Sequence, residues 1–443
     1  MSLTPEFIEP AKAEAASAAA PSAKAAEAPA SPSATEEPAV VLPLLAKPNN
    51  PEVFLVEDSE ALADCVATLR ANNGPFALDA ERASGFRYGS RAYLVQVARG
   101  NSPIYLIDPI GVSAAGDPAS FAELAEVLAT DVWILHAATQ DLGCLAELGL
   151  KPTALFDTEL GGRIAGFPRV GLGAMTESLL GFRLAKEHSA VDWSTRPMQA
   201  DWLNYAALDV DVLPALMDAV ASALEAQGKT RYATEEFEHL LSFAPKPQKA
   251  DRWRGMTGLH EVKDQRKLHV AQMIWKAREQ LAQKLDVSPG RLIPDGSIVA
   301  VAKSVPRSRS ELAGRKDFNG RASRTYLDTW WKALDGALQA NEYDLPPLKV
   351  PHVGMPNHRN WPSRFPEADA RLTKLKPVMS ALAEQIGMPP ENVLTPDLMR
   401  QLAWEPPTEL SADTIAQALR NMGARNWQVE ICAPAFFAAL TAN

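Results

Sequence analysis

The chain has 443 residues, an apolar fraction of 47% and a formal net charge of -10. This length predicts two to four domains with real hydrophobic cores. The charge excludes a protein coated in basic residues, but not nucleic acid, because an acidic tail and an acidic site can mask a local basic face. The three cysteines (Cys65, Cys144 and Cys432) form no CxxC pair. This argues against a zinc site or a disulfide framework and predicts a cytoplasmic protein.

The amino-terminal segment lacks the signs of a secretory leader. Acidic residues (Glu6, Glu9 and Glu14) stand where a basic start would be expected. No run of about 18 apolar residues occurs, so we expect no membrane span. Residues 1–48 are rich in Ala, Pro, Ser and Glu. Because such a segment buries little apolar surface, we predict a disordered tail there.

Strand and helix patterns alternate from residue 54 onwards. An apolar stripe at helical spacing predicts a helix over residues 59–69. Strand patterns follow at residues 76–81, 92–98, 104–108, 132–136 and 155–158. Helices are predicted over 121–128, over 137–149 and, as one long helix, over 201–223. This order predicts an α/β domain with a mixed sheet, which we place at residues 49–240.

The second half of the chain reads as helical and begins with a reversal of charge. Residues 246–349 hold about eight more Lys and Arg than Asp and Glu. We predict a helical domain at 258–343, a Pro-rich linker at 344–361 and a second helical domain at 362–443.

The predicted strand at 76–81 carries two carboxylates, Asp79 and Glu81. Strand period two puts both side chains on one face, where they repel each other unless a cation lies between them. A solvated strand face is the alternative interpretation. The apolar flank, residues 76–78, instead favours a strand that lines a cleft.

Two further acidic positions fit the same kind of site. Asp141 follows a strand near a helix start, where the helix dipole alone would also favour it. Tyr205 and Asp209 are four residues apart on a predicted helix and so lie on one face. Taken singly, a core tyrosine and an exposed aspartate are the better explanation of that pair, because pairs at this spacing are common. Asp211, two residues further on, points elsewhere on the helix.

In combination these residues form the parts of a two-metal phosphodiesterase. Carboxylate oxygens suit two Mg²⁺ or Mn²⁺ ions, which stabilise the attacking and leaving oxygens of an in-line displacement. Asp79 is the natural bridging ligand. Tyr205 is placed to orient the attacking water or to help deprotonate it.

The three motifs resemble those of the DEDD exonucleases, in the subclass that has tyrosine in the third motif, and their surroundings resemble ribonuclease D. The likeness covers residues 50–230 and includes the runs Asp79-Ala-Glu81, His136-Ala-Ala-Thr-Gln-Asp141 and Tyr205-Ala-Ala-Leu-Asp209. It implies an RNase H-like exonuclease domain followed by two helical HRDC-type domains. It also implies Asp79, Glu81, Asp141 and Asp209 as metal ligands, with Tyr205 at the water.

The resemblance further implies a 3′→5′ exoribonuclease that releases 5′-nucleoside monophosphates. Its expected partners are RNAs with a single-stranded 3′ end, tRNA precursors among them, and we infer no obligate protein partner. Gln96, His136 and Gln140 are candidate substrate contacts, and a core role is the alternative for each. A cluster of basic residues in the first helical domain (Arg307, Arg309, Arg315, Lys316, Arg321 and Arg324) could follow an RNA backbone. A nuclease for single-stranded DNA and a non-catalytic RNA-binding adaptor remain alternatives.

Overall fold

The computed structural model describes residues 41–113, 116–185, 190–245, 247, 249–350 and 354–442. The predicted disordered tail at 1–48 therefore lies mostly outside the described residues. Among the described helices, none combines the length and the apolar character needed to cross a bilayer.

The first domain is built on a six-stranded mixed sheet, as predicted. The strands in chain order are β1 Leu44–Leu45, β2 Val53–Val56, β3 Phe76–Arg82, β4 Ala92–Arg99, β5 Ile104–Ile107, β6 Trp133–Leu135, β7 Leu155–Asp157 and β8 Arg183–Leu184. The order in the sheet is β2-β5-β4-β3-β6-β7. Strand β3 pairs antiparallel with β4 and parallel with β6, so it lies inside the sheet. The edge strand β2 was not predicted.

In the part of this domain that the structure describes, nine α-helices accompany the sheet. They are α1 Ser59–Ala71, α2 Pro109–Val112, α3 Ala122–Leu128, α4 Leu142–Glu147, α5 Thr158–Ile164, α6 Leu172–Met175, α7 Ala200–Asp211, α8 Leu213–Ala226 and α9 Thr230–Leu240. Helix α1 buries the predicted stripe and is capped by Asp58, whose carboxylate accepts the N–H of Ala61 at 2.9 Å.

The long helix predicted over 201–223 is wrong, because two helices, α7 and α8, meet at Val212. Pro214 stands in the first turn of α8. Proline has no backbone N–H, so it cannot donate to the carbonyl of Val210 and α7 cannot continue through it. The break lets α7 lie against β3, β4 and β5, while α8 packs on α5.

The two sheet faces carry separate apolar clusters. One holds Phe76 and Val97 of the sheet with Leu69 of α1. The other holds Ala77 and Leu94 with the small residues Ala206 and Ala207 of α7 and its neighbour Val210. These small side chains let α7 approach the sheet closely, which brings its polar residues near those of β3.

The end of the predicted tail is structured where it can be described. Leu44–Leu45 pairs in parallel with Arg183–Leu184. Asp211 then holds the following segment, since its carboxylate accepts the backbone N–H groups of Asn49 at 2.8 Å and Asn50 at 3.2 Å. Asp211 thus has a structural partner away from the acidic cluster.

The remaining α-helices form two helical regions with a repeated pattern. They are α10 Gln265–Leu285, α11 Pro289–Leu292, α12 Asp295–Lys303, α13 Arg309–Ala313, α14 Arg321–Thr325, α15 Leu327–Gln339, α16 Trp361–Arg364, α17 Pro366–Ile386, α18 Pro390–Val393, α19 Pro396–Trp404, α20 Ala412–Asn421 and α21 Asn426–Thr441. Helices α10, α11 and α12 have 21, 4 and 9 residues, and so do α17, α18 and α19. Both 21-residue helices end at a residue in the left-handed region, Asp286 or Gly387.

Short 3₁₀ helices complete the described secondary structure. They are Pro118–Phe121, Ala138–Gln140, Arg252–Gly255, Leu259–Glu261, Lys316–Phe318, Glu342–Asp344 and His358–Asn360. A π-helical turn, Thr176–Leu180, follows α6.

The first helical region has its own apolar core and touches the sheet domain at the segment after β3. The backbone N–H of Ser288 donates to the carbonyl of Phe86 at 2.9 Å. Arg291 donates from Nε to the carbonyl of Gly85 at 2.7 Å and lies over the Phe86 ring. This region therefore rests directly on the chain that leaves the acidic strand.

The carboxy-terminal region instead shares one apolar cluster with the sheet domain. The ring of Trp427 is fully buried and stacks on Tyr232 of α9, with centroids 4.6 Å apart. Its Nε1 donates to Glu236 at 3.1 Å, and Arg425 pairs with the same carboxylate at 2.6 Å. The two helical regions thus attach to the first domain by different means.

Candidate active site

Asp79 and Glu81 project from the same face of β3, as strand period two predicts. Their partners across the antiparallel ladder are Gln96 and Leu94 of β4. Helix α7 brings Asp209 opposite them, and one oxygen from each of these three carboxylates lies within 4.8 Å of the others. The described residues thus include a group of hard oxygen ligands that could hold a metal ion.

Tyr205 and Asp209 lie one helical turn apart on α7 and face this group. The Tyr205 hydroxyl donates to the Asp209 carboxylate. Asp209 is mostly buried, and both burial and the charge of Asp79 raise its pKa well above the ordinary value. The spacing of four residues therefore places an oriented hydroxyl next to an acidic ligand.

Asp141 enters the cluster from the other side. It is the residue before α4 rather than part of a helix, and it follows the 3₁₀ turn Ala138–Gln140. Its carboxyl group shares a hydrogen bond with Asp79. A guanidinium nitrogen of Arg82 lies 3.8 Å from an Asp141 oxygen. Asp79 is therefore in contact with Asp141 and also belongs to the three-carboxylate group.

Asp157 positions the loop that leads to Asp141, a role that sequence reasoning missed. Its buried carboxylate accepts the backbone N–H groups of Ala137 at 3.0 Å and Ala138 at 2.8 Å, and it also caps α5. Ala137 has a φ of 62°, in the left-handed region, which the two hydrogen bonds help to hold. An Asp that follows a strand and begins a helix is an N-cap signal, and this could have singled it out.

An ion pair fixes the chain that enters α7. The buried Asp108 accepts two hydrogen bonds from Arg196, at 2.5 and 2.7 Å. Arg196 also donates to the carbonyls of Trp193 and Tyr93. The segment before Tyr205 is therefore tied to strands β4 and β5.

Burial is the main electrostatic influence on the acidic cluster. It raises the pKa of Asp79 to about 6 and that of Asp141 to about 8. Burial and three neighbouring carboxylates raise the pKa of Glu81 to about 10. Arg82 lowers the pKa of each of these groups, but burial outweighs it. Without a cation, the cluster therefore favours protonation.

A cavity of about 460 Å³ opens beside these residues. Its lining includes Asp79, Tyr205, Asp209 and His136, together with residues 171–174. Of the three predicted substrate contacts, only His136 lines it. Gln140 is exposed elsewhere, and Gln96 is fully buried with both side-chain polar atoms unpaired among the described residues.

The raised pKa values give a prediction for the metal-free protein. A carboxyl group with a folded pKa above its unfolded pKa destabilises the fold when ionised, so stability should rise as the pH falls through the folded value. Between about pH 9 and pH 7, Asp141 takes up a proton in the folded state and Glu81 already holds one, whereas both groups stay ionised in the unfolded chain. In EDTA, the free energy of unfolding should therefore be higher at pH 7 than at pH 9 by an amount on the order of 1 kcal/mol, which thermal unfolding measures. Saturating Mg²⁺ or the substitution Glu81→Gln should make this difference between the two pH values smaller. An equal difference in all three samples would contradict the prediction.

Three family models match the chain, and together they span most of it. Residues 53–225 match a 3′-5′ exonuclease, residues 267–334 match the HRDC domain, and residues 354–440 match the 3′ to 5′ exonuclease C-terminal domain. A ribonuclease D from Acidiphilium cryptum is 30% identical over 292 residues, which cover 63% of this chain and 72% of that protein. The chain belongs to the ribonuclease D family. A second ribonuclease D, from Gluconacetobacter diazotrophicus, is 28% identical over 82% of this chain and 90% of the relative.

Solved structures agree with the fold. A protein from Bifidobacterium adolescentis is 34% identical, with a TM-score of 0.83 over 90% of this chain and 100% of its own. Escherichia coli RNase D, 24% identical, has a TM-score of 0.60 over 84% of this chain and 98% of its own. The predicted fold class is confirmed: a mixed-sheet exonuclease domain precedes helical HRDC and carboxy-terminal domains. As a ribonuclease D family member, the chain is a nuclease hydrolase.

Proposed function

We propose that this ribonuclease D family member is a 3′→5′ exoribonuclease that releases 5′-nucleoside monophosphates by two-metal-ion hydrolysis. The observation that carries the proposal is the cluster itself. Oxygens of Asp79, Glu81 and Asp209 lie within 4.8 Å of one another, and the carboxyl group of Asp141 shares a hydrogen bond with that of Asp79. A half-buried set of carboxylates with raised pKa values fits the hard divalent ions Mg²⁺ and Mn²⁺.

Asp79, Glu81, Asp141 and Asp209 would hold the two ions. Asp79 would serve both, because it belongs to the three-carboxylate group and also contacts Asp141. When bound, such ions stabilise charge on the attacking and leaving oxygens of the phosphodiester. Tyr205, which hydrogen-bonds Asp209 and lines the cavity, would orient the attacking water.

The proposed substrate is RNA with a single-stranded 3′ end, with tRNA precursors as the specific case. The relatives are named ribonuclease D, and the Escherichia coli protein is described as an exoribonuclease involved in structured RNA processing. Of the six basic HRDC residues expected to follow an RNA backbone, four are exposed and form no ion pair with the described part of the chain: Arg307, Lys316, Arg321 and Arg324. By contrast, Arg309 pairs with Asp328 and Arg315 with Asp317. The four unpaired cations are the better candidates for an RNA backbone.

The division of labour between domains belongs to the same proposal. The exonuclease domain at 49–240 would cleave the phosphodiester at the 3′ end of the RNA. The HRDC domain at 258–343 and the second helical domain at 362–443, joined by the linker 344–361, would hold the structured part of the RNA. The predicted cytoplasmic location remains a prediction, and the three cysteines are buried free thiols.

Digestion of end-labelled oligonucleotides tests the proposal. RNA labelled at its 5′ end should shorten stepwise, and RNA labelled at its 3′ end should release the label at once as a 5′-monophosphate. Mg²⁺ or Mn²⁺ should support both reactions and EDTA should stop them. Cleavage that survives EDTA would contradict the two-metal site. DNA substrates test the deoxyribonuclease alternative, and binding without cleavage would identify an adaptor.

A further inference from the structure

His136 is the polar cavity residue to which the proposed chemistry gives no role. It follows β6 directly, is half-buried, and lines the cavity together with Asp79, Tyr205 and Asp209. A histidine at a strand end is often only a core residue. The hydrogen bonds around this one determine what it can offer to a substrate.

The tautomer of His136 follows from two hydrogen bonds of Thr158. The Thr158 hydroxyl donates its single proton to the carbonyl of Leu135 at 3.2 Å. His136 Nδ1 lies 2.8 Å from the same hydroxyl oxygen. Since a carbonyl can only accept, the arrangement that satisfies both contacts has Nδ1 protonated and donating to the hydroxyl oxygen. Nε2 is then an acceptor, and it forms no hydrogen bond with the part of the chain that the structure describes.

The imidazole of His136 is neutral at pH 7. Burial lowers the pKa of His136 to about 4, despite the opposing influence of Glu159. Thr158 is itself fully buried, so water does not compete for Nδ1. The cavity is thus given one fixed hydrogen-bond acceptor beside the acidic cluster.

We propose that His136 Nε2 accepts a hydrogen bond from the 2′-hydroxyl of a ribose bound in the cavity, and that it thereby favours RNA over DNA. This inference rests on the proposed exonuclease function. An enzyme that removes every nucleotide in turn needs a partner present on all four bases. Base edges differ in their donors, whereas the 2′-hydroxyl is present in each ribonucleotide and absent from DNA. In every nucleotide before the last, it is also the only sugar hydroxyl.

The test compares kcat/KM for one RNA oligonucleotide with versions that carry a single 2′-deoxynucleotide at the last or the second-last position. In the parent protein, one of these substitutions should lower kcat/KM about tenfold, as expected for the loss of one hydrogen bond. The variant His136→Leu should lose this discrimination, so that the ribose and deoxyribose substrates are cut at equal rates. Thr158→Val, which removes the hydroxyl that fixes the tautomer, should reduce the discrimination. Thr139→Val, on an exposed residue of the same loop, should leave it unchanged.

Further results separate the possible failures. If the parent cuts all the substrates equally while still digesting RNA from its 3′ end, this inference is overturned and the proposed function stands. A uniform loss in His136→Leu, with the discrimination intact, would also overturn it. His136→Gln keeps a hydrogen-bond acceptor at this position and should retain part of the discrimination. This variant tests the inference if His136→Leu folds poorly. A parent that cannot shorten RNA from its 3′ end would contradict the proposed function itself.

Discussion

The substitution Asp79→Asn should lower the rate of 3′-end cleavage on the order of a thousandfold while leaving RNA binding largely intact. Asp79 is hydrogen-bonded to Asp141 and also belongs to the group formed with Glu81 and Asp209. Removing its charge therefore weakens both proposed ion sites at once. The cations proposed to hold RNA lie on the HRDC domain and are unchanged. Single-turnover cleavage and fluorescence anisotropy with labelled RNA measure the two effects separately.

Asp201→Asn is the matched control for this variant. Asp201 is an exposed residue in the first turn of α7, and the same charge change there should leave cleavage near the parent rate. Metal-free Asp79→Asn should also unfold at a higher temperature than the metal-free parent, because one like charge leaves a buried cluster. Near-parent turnover would show that the site is misassigned. Loss of cleavage and binding together, with a lower unfolding temperature, would point to a structural role.

The substitution Trp427→Ala should destabilise the protein by about 4 kcal/mol. The Trp427 ring is fully buried, stacks on Tyr232 and donates to Glu236. Its loss would leave a cavity in the apolar cluster that joins the carboxy-terminal domain to the exonuclease domain, and Glu236 would lose a hydrogen-bond donor while keeping its ion pair with Arg425. Denaturant unfolding followed by circular dichroism measures the shift in midpoint.

Trp331→Ala provides the comparison, because Trp331 is only half-buried against the separate HRDC core. Trp331→Ala should lower the free energy of unfolding by less than Trp427→Ala does, and it should leave the stability of the exonuclease domain unchanged. Equal effects of the two variants would contradict the shared core. The same packing means that cutting the chain before residue 354 would expose apolar surface on α9. Substitutions on the HRDC surface are therefore a cleaner probe of RNA binding than deletion.

The acidic motifs could be predicted from the local spacing of residues in the sequence. Strand period two placed Asp79 and Glu81 on one face, and helical spacing placed Tyr205 and Asp209 together, because each rule acts over a few residues. The mixed sheet and the helical domains were predicted for the same reason. The single helix predicted over 201–223 failed because apolar periodicity continues through Val212, whereas Pro214 interrupts the hydrogen bonds.

Contacts between residues far apart in the sequence could not be predicted from local spacing. The support that Asp157 gives to Ala137, the fixed tautomer of His136 and the burial of Gln96 depend on which strands are neighbours. Sheet order is set by packing over the whole domain, so no short window of sequence contains it.

The sequence by itself determined the residue types of the cluster, their local faces and the alternation of strands and helices, since these follow from backbone periodicity. The tertiary structure decided that Asp141 meets Asp79, that one cavity adjoins them, and that the carboxy-terminal domain shares a core with the exonuclease domain. Residues tens to hundreds of positions apart are brought together only when the whole chain buries its apolar surface, and that burial is a property of the complete fold.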